Sequence, residues 1–154
     1  MPAGIHVGAA VAGLVLGALV IAMRKGTTTH RVSGGCYAVL LLVVNVAALA
    51  IPRSASGVGA FHVLAVFSLA TLVVGLVPMW VRPRTEGIVA VHGITMCFSY
   101  AGLVAAGLSQ AAAERFPEQA AVAVMVTSTV TFAVASVAIF SRVPKAMVGR
   151  RGAR

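Results

Sequence analysis

The chain has 154 residues, 60% of them hydrophobic and 10% charged, with a mean hydropathy of +1.01 and a formal net charge of +9. Soluble globular domains carry roughly 25% charged residues, so this composition excludes a water-soluble fold. The chain has no aspartate, no His-Glu-x-x-His, no Gly-x-Ser-x-Gly and no phosphate-cradling glycine loop, which leaves hydrolytic and nucleotide-driven chemistry without support.

Five apolar runs follow one another, at about 4–23, 35–52, 58–81, 87–109 and 119–141. About 20 predominantly apolar residues cross the hydrocarbon core as a helix. Lipid cannot satisfy exposed backbone, and the runs are too long and too continuous for alternating barrel strands. The expectation is an all-α integral membrane protein, a single domain over 1–154. Its five transmembrane helices form an up-down bundle in which helices 1–4 are the core.

The first run lacks the basic residues that precede the apolar core of a signal peptide, and it is expected to remain as a helix. It holds Gly8, Gly13 and Gly17, whose spacing suits either a closely packed helix or a flat cofactor. The polar stretch RKGTTTHRVSGG separates runs 1 and 2. In run 3, Pro78 is expected to kink the helix, with Trp80 at interface depth. Pro83 stops this helix, and Thr85-Glu86-Gly87 begins the next. The short connections favour antiparallel neighbours. Asn45 and the Thr127–Ser128–Thr129–Thr131 group are expected to hydrogen-bond between helices or back to their own backbone.

The positive charge is asymmetric. Arg24, Lys25 and Arg31 lie in the first loop, Arg82 and Arg84 in the third, and Arg142, Lys145, Arg150, Arg151 and Arg154 in the tail. With five helices these share one side, which the positive-inside rule makes cytoplasmic. The N-terminus is then outside and the C-terminus inside, in a bacterial cytoplasmic (inner) membrane. This placement assigns the charge to topology and to the lipid bilayer, and gives no reason to expect a nucleic-acid partner.

None of the apolar runs contains a carboxylate, which argues against a proton-coupled transporter. The four histidines are distributed differently. His6, His30, His62 and His92 each fall near the start of one of the first four helices. Because neighbouring helices alternate in direction, His6 and His62 form an outer level and His30 and His92 an inner one, roughly 20 Å away. Two imidazoles facing each other at one depth suit the axial positions of a b-type haem. Imidazole also suits other transition metals, and that alternative stays open, as does a cofactor-free subunit or scaffold of a larger membrane complex. Arg24, Lys25 and Arg31 adjoin the inner level, where they are candidates to hold haem propionates. Met96, four residues after His92, is a further candidate axial ligand, and Tyr37 and Tyr100 are candidates to line a quinone or donor pocket.

On the stretches IHVGAAVAG, THRVSGG, FHVLAVFSLATLVVG and VHGITMCFS, the chain resembles the di-haem transmembrane cytochromes b of the ascorbate-reducible type, the cytochrome b-561 family. That resemblance covers residues 4–110. It implies two haems b, with His6 and His62 on the outer one and His30 and His92 on the inner one. It also implies transmembrane electron transfer with a quinone or other redox partner. Lys25-Gly26, His30-Arg31, Gly34 and Tyr37 further resemble the signature of small bacterial predicted membrane proteins of the domain-of-unknown-function 2306 type, which implies no activity. Neither resemblance decides between a homodimer and a larger assembly.

Overall fold

The computed structural model describes residues 2–50, 60–80 and 85–151, with side chains described within 4–50, 62–80 and 85–142. Arg53, Arg82, Pro83, Arg84 and Arg154, and the side chains of Lys145, Arg150 and Arg151, lie outside these limits. Every long element is a helix: α1 (Pro2–Ala22), α2 (Thr28–Ala50), α3 (Ala60–Trp80), α4 (Glu86–Arg115) and α5 (Ala120–Arg151), with a 3-10 turn at Pro117–Gln119 before α5. All five are long and apolar enough to cross a membrane. The chain is an all-helical integral membrane protein.

Three boundaries differ from the limits of the apolar runs, one of them the end of α5, which reaches Arg151 where the fifth run stops near 141. The second run starts near 35, but α2 begins at Thr28 because Thr27 Oγ1 accepts from the backbone N of His30 at 3.1 Å and satisfies an otherwise unpaired donor of the first turn. Gly34 and Gly35 are carried inside the helix. The fourth run ends near 109, but α4 continues through Ala111–Arg115, where Gln110 Nε2 donates to Glu114 Oε1 at 3.0 Å one turn on. Its start is capped by Thr85, whose side chain accepts from the Ile88 N–H. Pro78 lies within the last turn of α3, which continues to Trp80.

Packing defines two hairpins. α1 lies along α2 and α3 along α4, and the hairpins meet where α2 touches α3 and α1 touches α4. Within this ring α1 is diagonal to α3, and α2 is diagonal to α4. The shared core is Val20, Tyr37, Ala38, Leu41, Val44, Leu72 and Leu103. Asn45 ties the hairpins by donating to Ser68 Oγ at 3.0 Å.

α5 packs along α4 and reaches α3. Phe132 meets Phe67 edge-on at 5.7 Å, Phe140 meets Phe98 at 6.1 Å, and the Ser109 and Ser128 hydroxyls lie 3.0 Å apart. The fifth helix therefore covers the α3–α4 seam. Its far face, with Val126, Val130, Val134 and Val137, is exposed, as befits a surface solvated by lipid tails.

The glycines of α1 settle one of the alternatives. A Cβ on Gly17 would lie 2.5 Å from Tyr100 Cδ2 and 2.8 Å from Tyr37 Cε2, and one on Gly13 would lie 3.1 Å from Leu103 Cδ2. Side chains of α2 and α4 fill this groove, so at these two positions the small residues serve helix packing rather than a flat cofactor.

Candidate functional site

The four histidines occupy early turns of their helices: fifth in α1, third in α2 and α3, and seventh in α4. Two of them are fixed by the helix next door. His6 Nδ1 lies 3.0 Å from the Val44 carbonyl of α2, and His92 Nδ1 lies 2.7 Å from the Gly75 carbonyl of α3. A carbonyl only accepts, so each Nδ1 carries the proton and each Nε2 keeps its lone pair. This is the tautomer in which imidazole ligates a metal through Nε2.

The other two histidines show the complementary feature. His62 Nε2 and His30 Nδ1 are buried without a hydrogen-bond partner. A buried polar atom left unpaired costs about 1–3 kcal/mol, so each such nitrogen invites a ligand. Each end of the bundle thus has one imidazole oriented by a carbonyl and one with an unsatisfied nitrogen.

The hydrogen bonds also fix the depths. His6 is docked at Val44, fourteen residues beyond His30 on α2, which is ~21 Å of helix. His92 is docked at Gly75, thirteen residues beyond His62 on α3, which is ~20 Å. The two hairpins therefore give the same separation independently. His30 and His92, on diagonal helices, lie within one another's electrostatic reach. His6 and His62 stand on the other diagonal.

The basic residues beside His30 have local tasks. Lys25 Nζ donates to the carbonyls of Val20 at 2.9 Å and Ile21 at 2.7 Å, closing the C-terminal end of α1. Burial in this turn pushes its ammonium below the usual lysine range, against a smaller opposing effect of the nearby Cys97 thiol. Arg31 Nη2 donates to the Gly26 carbonyl at 3.3 Å. Arg24 is exposed. Lys25 also lies in the field of His30. Of the three, it acts most directly on the histidine, through its charge.

Met96 packs against α3. A Cβ on Gly75 would lie 2.8 Å from its Sδ, so the thioether fills the notch in α3 that this glycine leaves. Cys36 and Cys97 are free thiols. Tyr37 is buried in the bundle centre, where its hydroxyl lies 3.2 Å from Ser99 Oγ, and Tyr100 is half-buried beside it. Sequence reasoning missed Ser99 and the carbonyls of Val44 and Gly75. Acceptors 38 and 17 residues from their histidines leave no signal in a local reading.

Among the described residues no three His, Cys, Asp or Glu side chains converge on a point. A metal held by protein ligands alone commonly needs three or four of them. A haem brings four nitrogens of its own and asks the protein for one or two. The histidine pairs fit the second requirement, through the two unpaired nitrogens and the two carbonyl-oriented rings.

Neither the curated proteins nor the solved structures give a match. A family match does cover residues 3–144, under the description Predicted membrane protein (DUF2306). With nearly the whole span of five apolar helices inside that match, the chain belongs to this family of predicted membrane proteins.

Proposed function

We propose that the protein is a di-haem b-type membrane cytochrome that moves electrons between its two faces, with His6 and His62 holding one haem and His30 and His92 the other. The observation carrying this reading is that each end of the bundle pairs a carbonyl-oriented imidazole with an imidazole whose nitrogen is buried and unpaired. When bound, each haem supplies an iron that cycles by one electron.

The chain does the rest. The Val44 and Gly75 carbonyls hold His6 and His92 in one tautomer and orientation. α2 contributes His30 to one pair and α3 contributes His62 to the other. Lys25, Arg24 and Arg31 put positive charge at the His30 end, which suits haem propionates and, by the positive-inside rule, the cytoplasmic face of a bacterial inner membrane. One electron enters from a donor at one face and leaves to an acceptor at the other. A quinone in the lipid phase is one such partner.

The test is the absorption spectrum of protein purified from haem-replete cells. A Soret band, a reduced α-band and two haems per chain are expected, with the electron paramagnetic resonance signature of bis-imidazole iron. A colourless preparation made under those conditions overturns the proposal in favour of a cofactor-free membrane subunit.

A further inference from the structure

We infer that Tyr37 and Tyr100 form the electronic bridge between the two histidine levels, an inference that rests on the di-haem reading. On α2 the His30 level and the Val44 level, where His6 is docked, are fourteen residues apart, and Tyr37 stands seven from each. At ~1.5 Å per residue its backbone lies ~10 Å from either level. Tyr100 stands eight residues beyond His92 on α4, at a similar depth. Both rings converge on one point of α1, since a Cβ added to Gly17 would meet Tyr37 Cε2 at 2.8 Å and Tyr100 atoms at 2.5 and 2.9 Å. Gly17 thus makes the space that the two rings share. They are the chain's only tyrosines, and both are committed to this one spot.

The surroundings hold the bridge still. Tyr37 is 2% exposed and Ser99 fully buried. Tyr37 Oη pairs with Ser99 Oγ, which also donates to the Met96 carbonyl at 2.8 Å. The hydroxyl proton therefore has a fixed site and stays there. One electron passes from level to level by tunnelling through the π-systems, and neither tyrosine is oxidised or deprotonated. A gap of about 20 Å filled by aliphatic side chains alone couples two centres weakly. Rings at its midpoint replace part of that saturated path with π-orbitals and strengthen the coupling over the whole distance.

The experiment uses the intact haem-loaded protein. An electron is injected at one face by a photoreductant, and its redistribution is followed in the separate α-bands of the two haems. Tyr37→Phe keeps the ring and loses only the pairing with Ser99, so the fast inter-haem phase is retained. Tyr37→Leu with Tyr100→Leu removes both rings, so the fast phase is lost while haem content, spectra and both midpoint potentials are unchanged. Leu41→Ala, in the same core and 1% exposed, is the packing control: it lowers the unfolding temperature and leaves the fast phase intact. Where the double variant does not fold, Tyr100→Leu alone is the test, and it must slow the fast phase. An unchanged rate in the leucine variants, with both haems present, overturns the bridge and leaves the di-haem reading standing. Slowing by Tyr37→Phe equal to that by leucine overturns it in favour of the hydroxyl. Absence of haem from the wild-type protein overturns both.

Discussion

The two ends of the bundle solve the same problem with opposite helices. At one end α1 supplies the oriented imidazole, His6, and α3 the unpaired nitrogen of His62. At the other end α4 supplies the oriented His92, and α2 the unpaired His30. The surroundings differ. His30 sits in a turn built from Lys25, Thr27 and Arg31, within the field of the Lys25 ammonium. The charges described at the His6 end are Glu114 and Arg115 in the last turn of α4 and Glu118 in the 3-10 turn that follows, with Arg115 5.5 Å from the Phe116 ring. On the di-haem reading, similar ligands in unlike fields give one chain two sites of different potential, and a difference in potential gives electron flow its direction.

That comparison breaks most sharply at the histidines. His30→Ala should remove the haem of its own end and halve the haem content per chain, leaving the other spectrum intact; His62→Ala should do the reverse. Loss of both haems from either variant would mean that the ends are not separate sites. A smaller effect is expected at the groove between them. Gly17→Ala forces a methyl against two tyrosine rings and should cost about 1–3 kcal/mol of stability. Gly8→Ala meets nothing within 4 Å and should be neutral or slightly stabilising, through helix propensity. Thermal unfolding in detergent compares the two. Lys25→Met should have the smallest effect. A nearby cation favours the reduced, less positive iron, so its removal should lower the midpoint potential of the His30-end haem, on the order of tens of millivolts, and leave the other unchanged. Redox titration of the two α-bands reads this directly.

The spans were legible because a membrane helix carries its signal in every residue. The ends of helices were less so. Gly34 and Gly35 disguised a helix whose start depends on a single hydroxyl, that of Thr27. The polar-tolerant Ala111–Arg115 segment continues α4 by good helix formers after the apolar signal has faded. The alternation of the histidines between the two ends of the hairpins could be read from helix order alone. Their acceptors, and the tyrosines that fill the Gly17 groove, could not, since they depend on which faces of separate helices meet.

Asn45 has a consequence for biogenesis. Its amide has two N–H groups, and one is satisfied inside α2 by the Leu41 carbonyl at 2.7 Å. The other finds Ser68 of α3, which belongs to the second hairpin. An α1–α2 pair released early into lipid would therefore carry this unmet amide donor in its apolar surface, together with the Tyr37 hydroxyl that pairs with Ser99 of α4, enough to make docking favourable without making insertion prohibitive. The newly made first hairpin thus waits in the bilayer with two polar addresses eight residues apart on α2, and only a correctly registered second hairpin answers both.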